Sequence, residues 1–135
     1  ACIGTAKVMD AWGASKGEAI HTQTFLGNPL GCSMAYANIA ELKRLAPEVP
    51  ARSKWLRDEL SSLGFSTQGR GLMLGIKHHR SLALSAYLLQ HGIIALPAGL
   101  NAEVLALTPP LIITQKELTL FLEVLKTLPN NLRPQ

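Results

Sequence analysis

Residues 21–30, His-Thr-Gln-Thr-Phe-Leu-Gly-Asn-Pro-Leu, set polar side chains directly ahead of a helix start. Thr22, Gln23 and Thr24 offer two hydroxyls and an amide, and His21 opens the stretch. Asn28 has the short acceptor side chain wanted at a helix N-cap, and Pro29 suits the first helical position, where a missing N–H costs nothing. Apolar residues at Ala35, Ile39, Leu42 and Ala46 continue at helical spacing. A helix N-terminus carries partial positive charge and uncommitted N–H groups, so an anion such as phosphate is its natural ligand. An ordinary polar loop leading into a capped helix has the same composition, and composition alone leaves both readings open.

Other residues capable of chemistry point less far. His78 and His79 on a strand would face opposite sides, and no carboxylate or cysteine is spaced to complete a metal site, so no metal is expected. Arg70 stands between two glycines and reads either as an anion clamp or as a turn arginine facing solvent. Cys2 and Cys32 are too few for a disulfide framework and lack zinc spacing, which suits a reducing cytoplasm.

The 135 residues make one domain by size, and 47% hydrophobic against 16% charged residues marks a globular chain. The formal charge of +4 raises nucleic-acid binding. However, Lys43, Arg44, Arg52, Lys54 and Arg57 are interleaved with Glu41, Glu48, Asp58 and Glu59, the pattern of a solvated helix face, and no nucleic-acid motif accompanies them. No apolar run approaches the roughly 20 residues that span a bilayer, and no signal-peptide pattern is present. Opening on Ala1 inside an apolar Ala-Cys-Ile-Gly segment, the chain reads as the interior of a longer protein, although processing also removes initiator methionines.

The elements that must position these residues follow from periodicity and punctuation. Residues 1–5 read as the end of a buried strand and 6–12 as a short helix. A helix from Pro29 runs to Ala46, where Pro47 and Pro50 predict a kink or break. Val49, Leu56, Leu60 and Leu63 mark a second helix that Gly64 ends. Residues 65–68 and 72–77 are strand candidates, and Gly69-Arg70-Gly71 between them reads as a hairpin turn or a bulge. Ser81 caps a helix reaching Gln90, with Gly92 as its stop. Residues 93–96 read as a buried strand, 97–101 as a turn and 104–107 as a further strand. Thr114 and Glu117 form a capping box. Leu118, Phe121, Leu122, Leu125 and Leu128 then fall at i, i+3, i+4, i+7 and i+10, ahead of a polar tail over 129–135. The expected architecture is α+β, a small and largely antiparallel sheet with helices on one face. On these features alone, a free-standing, non-catalytic α+β binding module is one outcome.

The order of residues in 21–32 resembles the signature of class III aminotransferases, the ornithine, acetylornithine and 4-aminobutyrate group of fold type I pyridoxal-phosphate enzymes. That signature runs roughly His-x-[Ser/Thr]-Thr-[Phe/Tyr]-Gly-Gly-Asn-Pro-Leu-[Ala/Gly]-Cys; the chain departs from it at Gln23 and Leu26. Gly-Arg-Gly-Leu-Met-Leu-Gly-Ile (69–76), Gly-Ile-Ile-Ala-Leu-Pro-Ala-Gly (92–99) and Pro-Pro-Leu-Ile-Ile-Thr (109–114) resemble further family segments in the family's order.

The resemblance implies that residues 1–29 end the large, cofactor-binding domain and that 30–135 form its small C-terminal α+β domain. It implies pyridoxal 5'-phosphate as cofactor, with Thr24 giving a hydroxyl and backbone N–H to the phosphate across a homodimer interface. Gln23 would donate an amide where the family has a hydroxyl, and His21 would be a hydrogen-bonded structural residue. The family's Schiff-base lysine lies upstream of the motif, and neither Lys7 nor Lys16 sits in its context. These residues are therefore expected to carry no catalytic residue, to bind no cofactor covalently and to be inactive alone. The whole enzyme would move an amino group from an amine or ω-amino acid to a 2-oxo acid, in the cytoplasm. The family's substrate arginine precedes Pro-Pro-Leu in the pattern Arg-Phe-x-Pro-Pro-Leu, and here Ala106 holds that place. Either another group holds the substrate carboxylate, or the substrate brings none to that subsite.

Overall fold

A computed structural model of the chain describes residues 4–12 and 27–134. Expectations for residues 1–3, 13–26 and 135, including Cys2, Lys16, His21, Gln23 and Thr24, lie outside the described residues. Two compact units divide the chain, Ala1–Ile39 and Ala40–Gln135. In the first, Gly4 and Thr5 are exposed and outside any strand. Helix α1 (Ala6–Met9) ends in a 3₁₀ turn (Asp10–Trp12) within the span expected to be helical. Helix α2 (Pro29–Leu45) begins where Asn28 and Pro29 place its start, and Asn28 Oδ1 accepts from the Gly31 N–H at 3.0 Å.

A 3₁₀ turn (Ala46–Glu48) carries α2 into α3 (Val49–Ser62). Pro47 and Pro50 each sit in a first turn, where the missing N–H has no intrahelical partner to lose, so the expected break is a tight turn between two helices. Leu56 and Leu60 of α3 are fully buried, and the helix stops at Ser62, with Leu63 as its C-cap and Gly64, at φ +87°, in the position after it, as the sequence indicates.

Strands β1 (Thr67–Arg70) and β2 (Met73–Lys77) form an antiparallel hairpin closed by the pair Arg70↔Met73. The turn is thus Gly71-Leu72, later than expected, and Arg70 belongs to the strand. Gly71 has φ +56°, the left-handed conformation a two-residue hairpin turn asks of its first central residue, while Leu72 is buried. Helix α4 (Ser81–Gln90) has Arg80, not Ser81, as its N-cap residue. The Ser81 hydroxyl instead donates to the Ala102 carbonyl, tying the helix start to a loop 21 residues away.

Strand β3 (Leu96–Ala98) is shorter and later than the apolar run suggests. The Ile93 N–H donates to the Leu88 carbonyl at 2.9 Å and the Ala95 carbonyl accepts from Ser85 at 2.6 Å. Those backbone groups are committed to α4 and cannot join a ladder. Pro97 is tolerated because β3 is an edge strand.

Strand β4 (Val104–Leu107) completes a four-stranded antiparallel sheet in the order β1-β2-β4-β3. The pairs Leu74↔Leu107 and Ile76↔Leu105 put four large side chains on one face. They form one hydrophobic cluster with Leu56 and Leu60, with Leu84 and Leu88 of α4, and with Leu118, Phe121, Leu122 and Leu125 of α5 (Gln115–Lys126). The helices therefore cover one face, as expected for this α+β class.

The capping box opens α5. The Glu117 N–H donates to Thr114 Oγ1 at 3.2 Å, and Glu117 Oε2 accepts from the Thr114 N–H at 2.7 Å. Thr114→Ala is expected to lower the unfolding free energy by about 1 kcal/mol, measured by urea titration; an unchanged midpoint would mean that the box adds nothing.

The segment after α5 is not a solvated tail. Its 3₁₀ turn (Asn130–Leu132) buries Leu132, and the Leu132 carbonyl lies 3.1 Å from His78 Nε2. The Arg80 N–H donates to His78 Nδ1 at 3.2 Å, so the neutral ring carries its proton on Nε2 and gives it to Leu132. Burial pushes the His78 pKa down, helped by His79 and Arg80, while the bond to Leu132 opposes the shift. A folded-state pKa below the unfolded 6.5 means that the unfolded chain takes up the proton first. This contribution is complete above about pH 6.5 and is lost as pH falls through the lowered value. Melting temperatures between pH 8 and 5 are expected to fall more steeply for the native chain than for His78→Gln. Parallel profiles would remove His78 as the cause.

Candidate functional site

Around the start of α2, the described residues define what the helix end can offer. Pro29 has no N–H, Gly31 donates to the Asn28 side chain, and Cys32 N donates to the Asn28 carbonyl at 2.9 Å. The helix end largely satisfies itself, so the sequence-based expectation of a phosphate seated on bare helix donors is narrowed. Thr22, Gln23 and Thr24, the residues expected to supply donors for an anion, lie outside the described residues. Two hydroxyls and an amide are the right chemistry for a phosphate, and on that donor set the stretch fits the phosphate of a pyridoxal cofactor.

A second feature is built entirely from residues after Ala40. Ala106, half-buried on β4, is paired with Leu96 on one side and Gly75 on the other. It lines a cavity of about 510 Å³ together with Leu96, Pro109, Leu118 and Phe121. Ala106, the position at which the resemblance leads one to expect a substrate arginine, is therefore among the residues lining this cavity. Glu117 is the charged residue of that lining, and its carboxyl is held below the usual range by the Thr114 N–H and then by the Thr114 hydroxyl.

The segment after β4 is held by a residue the charge pattern conceals. Arg52 donates to the Leu111 carbonyl at 2.8 Å while pairing with Glu48 at 2.9 Å. Arg57 donates to the Gly69 carbonyl at 2.6 Å, and Ser53 to the Gly71 carbonyl at 2.6 Å. The expected solvated face of α3 thus holds only for Lys54, which pairs with Asp58 at the surface. Arg52 and Arg57 are half-buried and spend their donors on the Pro-Pro-Leu segment and the β1–β2 hairpin. Such partners, distant in sequence, leave no local signal.

Arg70 is exposed on β1, with Lys54 and Arg57 along the same cleft. The histidine pair differs from expectation: the rings of His78 and His79 stack, with centroids 5.3 Å apart and planes 16° from parallel. Both residues follow the last residue of β2, so strand alternation no longer separates them. Among the described residues, no three metal-ligating side chains converge, and no helix is long and apolar enough to cross a membrane.

The aminotransferase class-III family profile matches residues 1–128. The chain is 37% identical over 120 residues to an acetylornithine aminotransferase of Bifidobacterium longum, covering 83% of this chain and 27% of that protein. The fold is similar to the crystal structure of N-acetylornithine aminotransferase from Stenotrophomonas maltophilia, with TM-score 0.64 and 31% identity over 73% of this chain and 30% of that one. It is also similar to an ornithine aminotransferase from Toxoplasma gondii described with pyridoxal phosphate at partial occupancy in its active site. There the TM-score is 0.63 and the identity 27%, over 88% of this chain and 30% of that one. The chain thus spans less than a third of the length of these relatives. With the ordered segments at 21–32, 69–76, 92–99 and 109–114 all inside the matched region, the chain belongs to the class-III aminotransferase family.

Proposed function

We propose that these residues form the C-terminal part of a pyridoxal-phosphate-dependent aminotransferase that moves an amino group from an amine or ω-amino acid to a 2-oxo acid. The family match over residues 1–128 carries the proposal. Residues 1–29 would close the cofactor-binding domain, and 30–135 would be the small domain whose sheet and helices hold the Ala106 pocket. The cofactor, when bound, supplies the electron sink for chemistry at the amino-bearing carbon. Thr24 would hold its phosphate by hydroxyl and backbone N–H, and Gln23 by its amide, reaching the partner subunit of a cytoplasmic homodimer. Asn28 fixes where α2 begins and so where that loop ends. Arg52 positions the Pro-Pro-Leu segment on the wall that contains Ala106. No residue of this chain is assigned the covalent or proton-transfer steps.

The test is Thr24→Ala in the whole enzyme. Losing a hydrogen bond to a charged group, worth about 1.5–3 kcal/mol, is expected to weaken cofactor binding roughly 10- to 150-fold. The melting temperature of the cofactor-free protein should not move. Unchanged cofactor dissociation with a lowered melting temperature would make Thr24 structural and remove the phosphate role.

A further inference from the structure

We propose that residues 129–134 form a proton-released strap. A neutral His78 keeps them docked on the corner between β2 and α4, and protonation of its ring frees them while the sheet and its helices stay folded.

The strap leaves the core at Pro129, directly after buried Leu128, and runs through the Asn130–Leu132 turn to Pro134. It takes no place in the four-stranded sheet. Its own main-chain bonds close the turn on itself: the Leu132 N–H donates to the Pro129 carbonyl at 2.8 Å, and the Arg133 N–H to the Asn130 carbonyl at 3.4 Å. The ties to the rest of the chain are side chains. His78 Nε2 donates to the Leu132 carbonyl at 3.1 Å, and the Arg80 guanidinium to the Asn131 carbonyl at 3.2 Å. Leu132 itself is buried, and Pro134 lies against Gly64, where an added Cβ would stand 3.0 Å from Pro134 Cγ. The corner beneath is fixed independently, since the His78 N–H donates to the Glu103 carbonyl at 2.9 Å. A short segment held by so few ties opens at a lower cost than the core.

The His78 ring satisfies its two partners only when neutral. Nε2 donates to Leu132 while Nδ1 accepts from the Arg80 N–H, and a protonated ring would set a second N–H against that donor. The surroundings add little to hold a cation. Lys77, His79 and Arg80 stand beside the ring on its own segment, and Arg133 follows Leu132 on the strap. The 64–66 segment, which brings Phe65 to 6.5 Å from the ring, carries no charge. Glu103 is the carboxylate lining the same cavity, and its Oε2 already accepts from the Asn101 N–H at 2.8 Å. Burial pushes the His78 pKa down, and the bond to Leu132 opposes it. Undocking the strap opens the ring to water, where the cation is solvated. The undocked form therefore binds the proton more tightly, and proton uptake draws the chain towards it. Docking is complete above about pH 6.5 and is lost as pH falls below that value. Arg80 stays charged throughout and cannot sense this change.

The strap needs neither cofactor nor substrate, so its fate is separate from that of transamination. The experiment follows the full 135-residue chain by NMR from about pH 7.5 to 5. The His78 ring carbon shifts report its proton, and the heteronuclear NOEs of the Leu132 and Arg133 amides report order in the strap. Those NOEs are expected to fall in step with protonation of His78, while Leu74, Ile76 and Leu105 keep theirs. One proton permits at most about a tenfold fall in the docked-to-free ratio per pH unit. His78→Gln offers an amide N–H to Leu132 and an amide oxygen to Arg80 without titrating, and should keep the strap ordered to about pH 5. Arg80→Ala removes the tie to Asn131 and should move release to higher pH. His79→Gln removes the neighbouring ring and should leave release in place.

A strap that stays ordered after His78 is protonated overturns the proposal. So does loss of order together with Ile76 and Leu105, or release with an unchanged midpoint in His78→Gln. Release that disappears in His79→Gln would make His79 the titrating group and remove His78 from the role.

Discussion

Replacing Leu105 by alanine is expected to remove about 2–5 kcal/mol from the unfolding free energy, a large fraction of what a domain of this size possesses. Leu105 is 0% exposed on β4, the strand held between β2 and β3. It lies opposite Ile76, itself 0% exposed, and opposite Pro97, within the cluster completed by α3, α4 and α5. Truncation would open a void bounded by two hydrogen-bonded strands, which cannot close around it without breaking register. The check is urea unfolding followed by circular dichroism, with Leu100→Ala as control. Leu100 is 96% exposed, and its loss should change stability by less than about 0.5 kcal/mol. If the two variants unfold at the same urea concentration, β4 is not the centre of the core.

Where local signals agree, the fold was legible before any coordinates. Helix α5 combines a capping box with an apolar stripe, and both are present as read, with Leu118, Phe121, Leu122, Leu125 and Leu128 buried. Asn28 and Pro29 marked the start of α2 because cap chemistry is confined to one turn. Strand β4 and the sheet's antiparallel pairing were equally accessible. What misled was a partner that the local pattern does not name. The run 93–95 is apolar enough for a strand, but Leu88 and Ser85 claim its backbone groups first. Arg52 has the spacing of a solvated helix face, yet its target, the Leu111 carbonyl, is 59 residues away. The polar composition of 129–135 hid the anchoring of Leu132 against His78 for the same reason.

The candidate site divides similarly. The order of residues in 21–32 reveals the family because a motif is itself local, while the roles of Gln23 and Thr24 rest on residues outside those described. Ala106 stood out by its departure from the family's arginine, and its place on a pocket wall came from the pairing of β4 with β3. Glu117 read only as a capping residue. Its second position, in the pocket lining, exists because the segment after β4 folds back over the start of α5.

Placing arginine at position 106 is expected to turn the whole enzyme towards donors that carry an α-carboxylate. The native chain offers an alanine methyl at position 106, where a planar, doubly donating guanidinium would bind a carboxylate in two parallel hydrogen bonds. One charged hydrogen bond contributes about 1.5–3 kcal/mol, so a well-placed arginine should raise the preference for the carboxylated member of a donor pair by roughly 10- to 150-fold. Position 106 can accept the longer chain, since Ala106 is half-buried, lies outside the hydrophobic cluster and has Gly75 as its β2 neighbour. The measurement is kcat/KM for paired donors with and without the α-carboxylate, in the native enzyme and the variant. The native enzyme is expected to use the amine at least as well as its carboxylated counterpart. A native enzyme that strongly prefers the carboxylated donor would mean that another residue clamps that group and that Ala106 does not set donor choice.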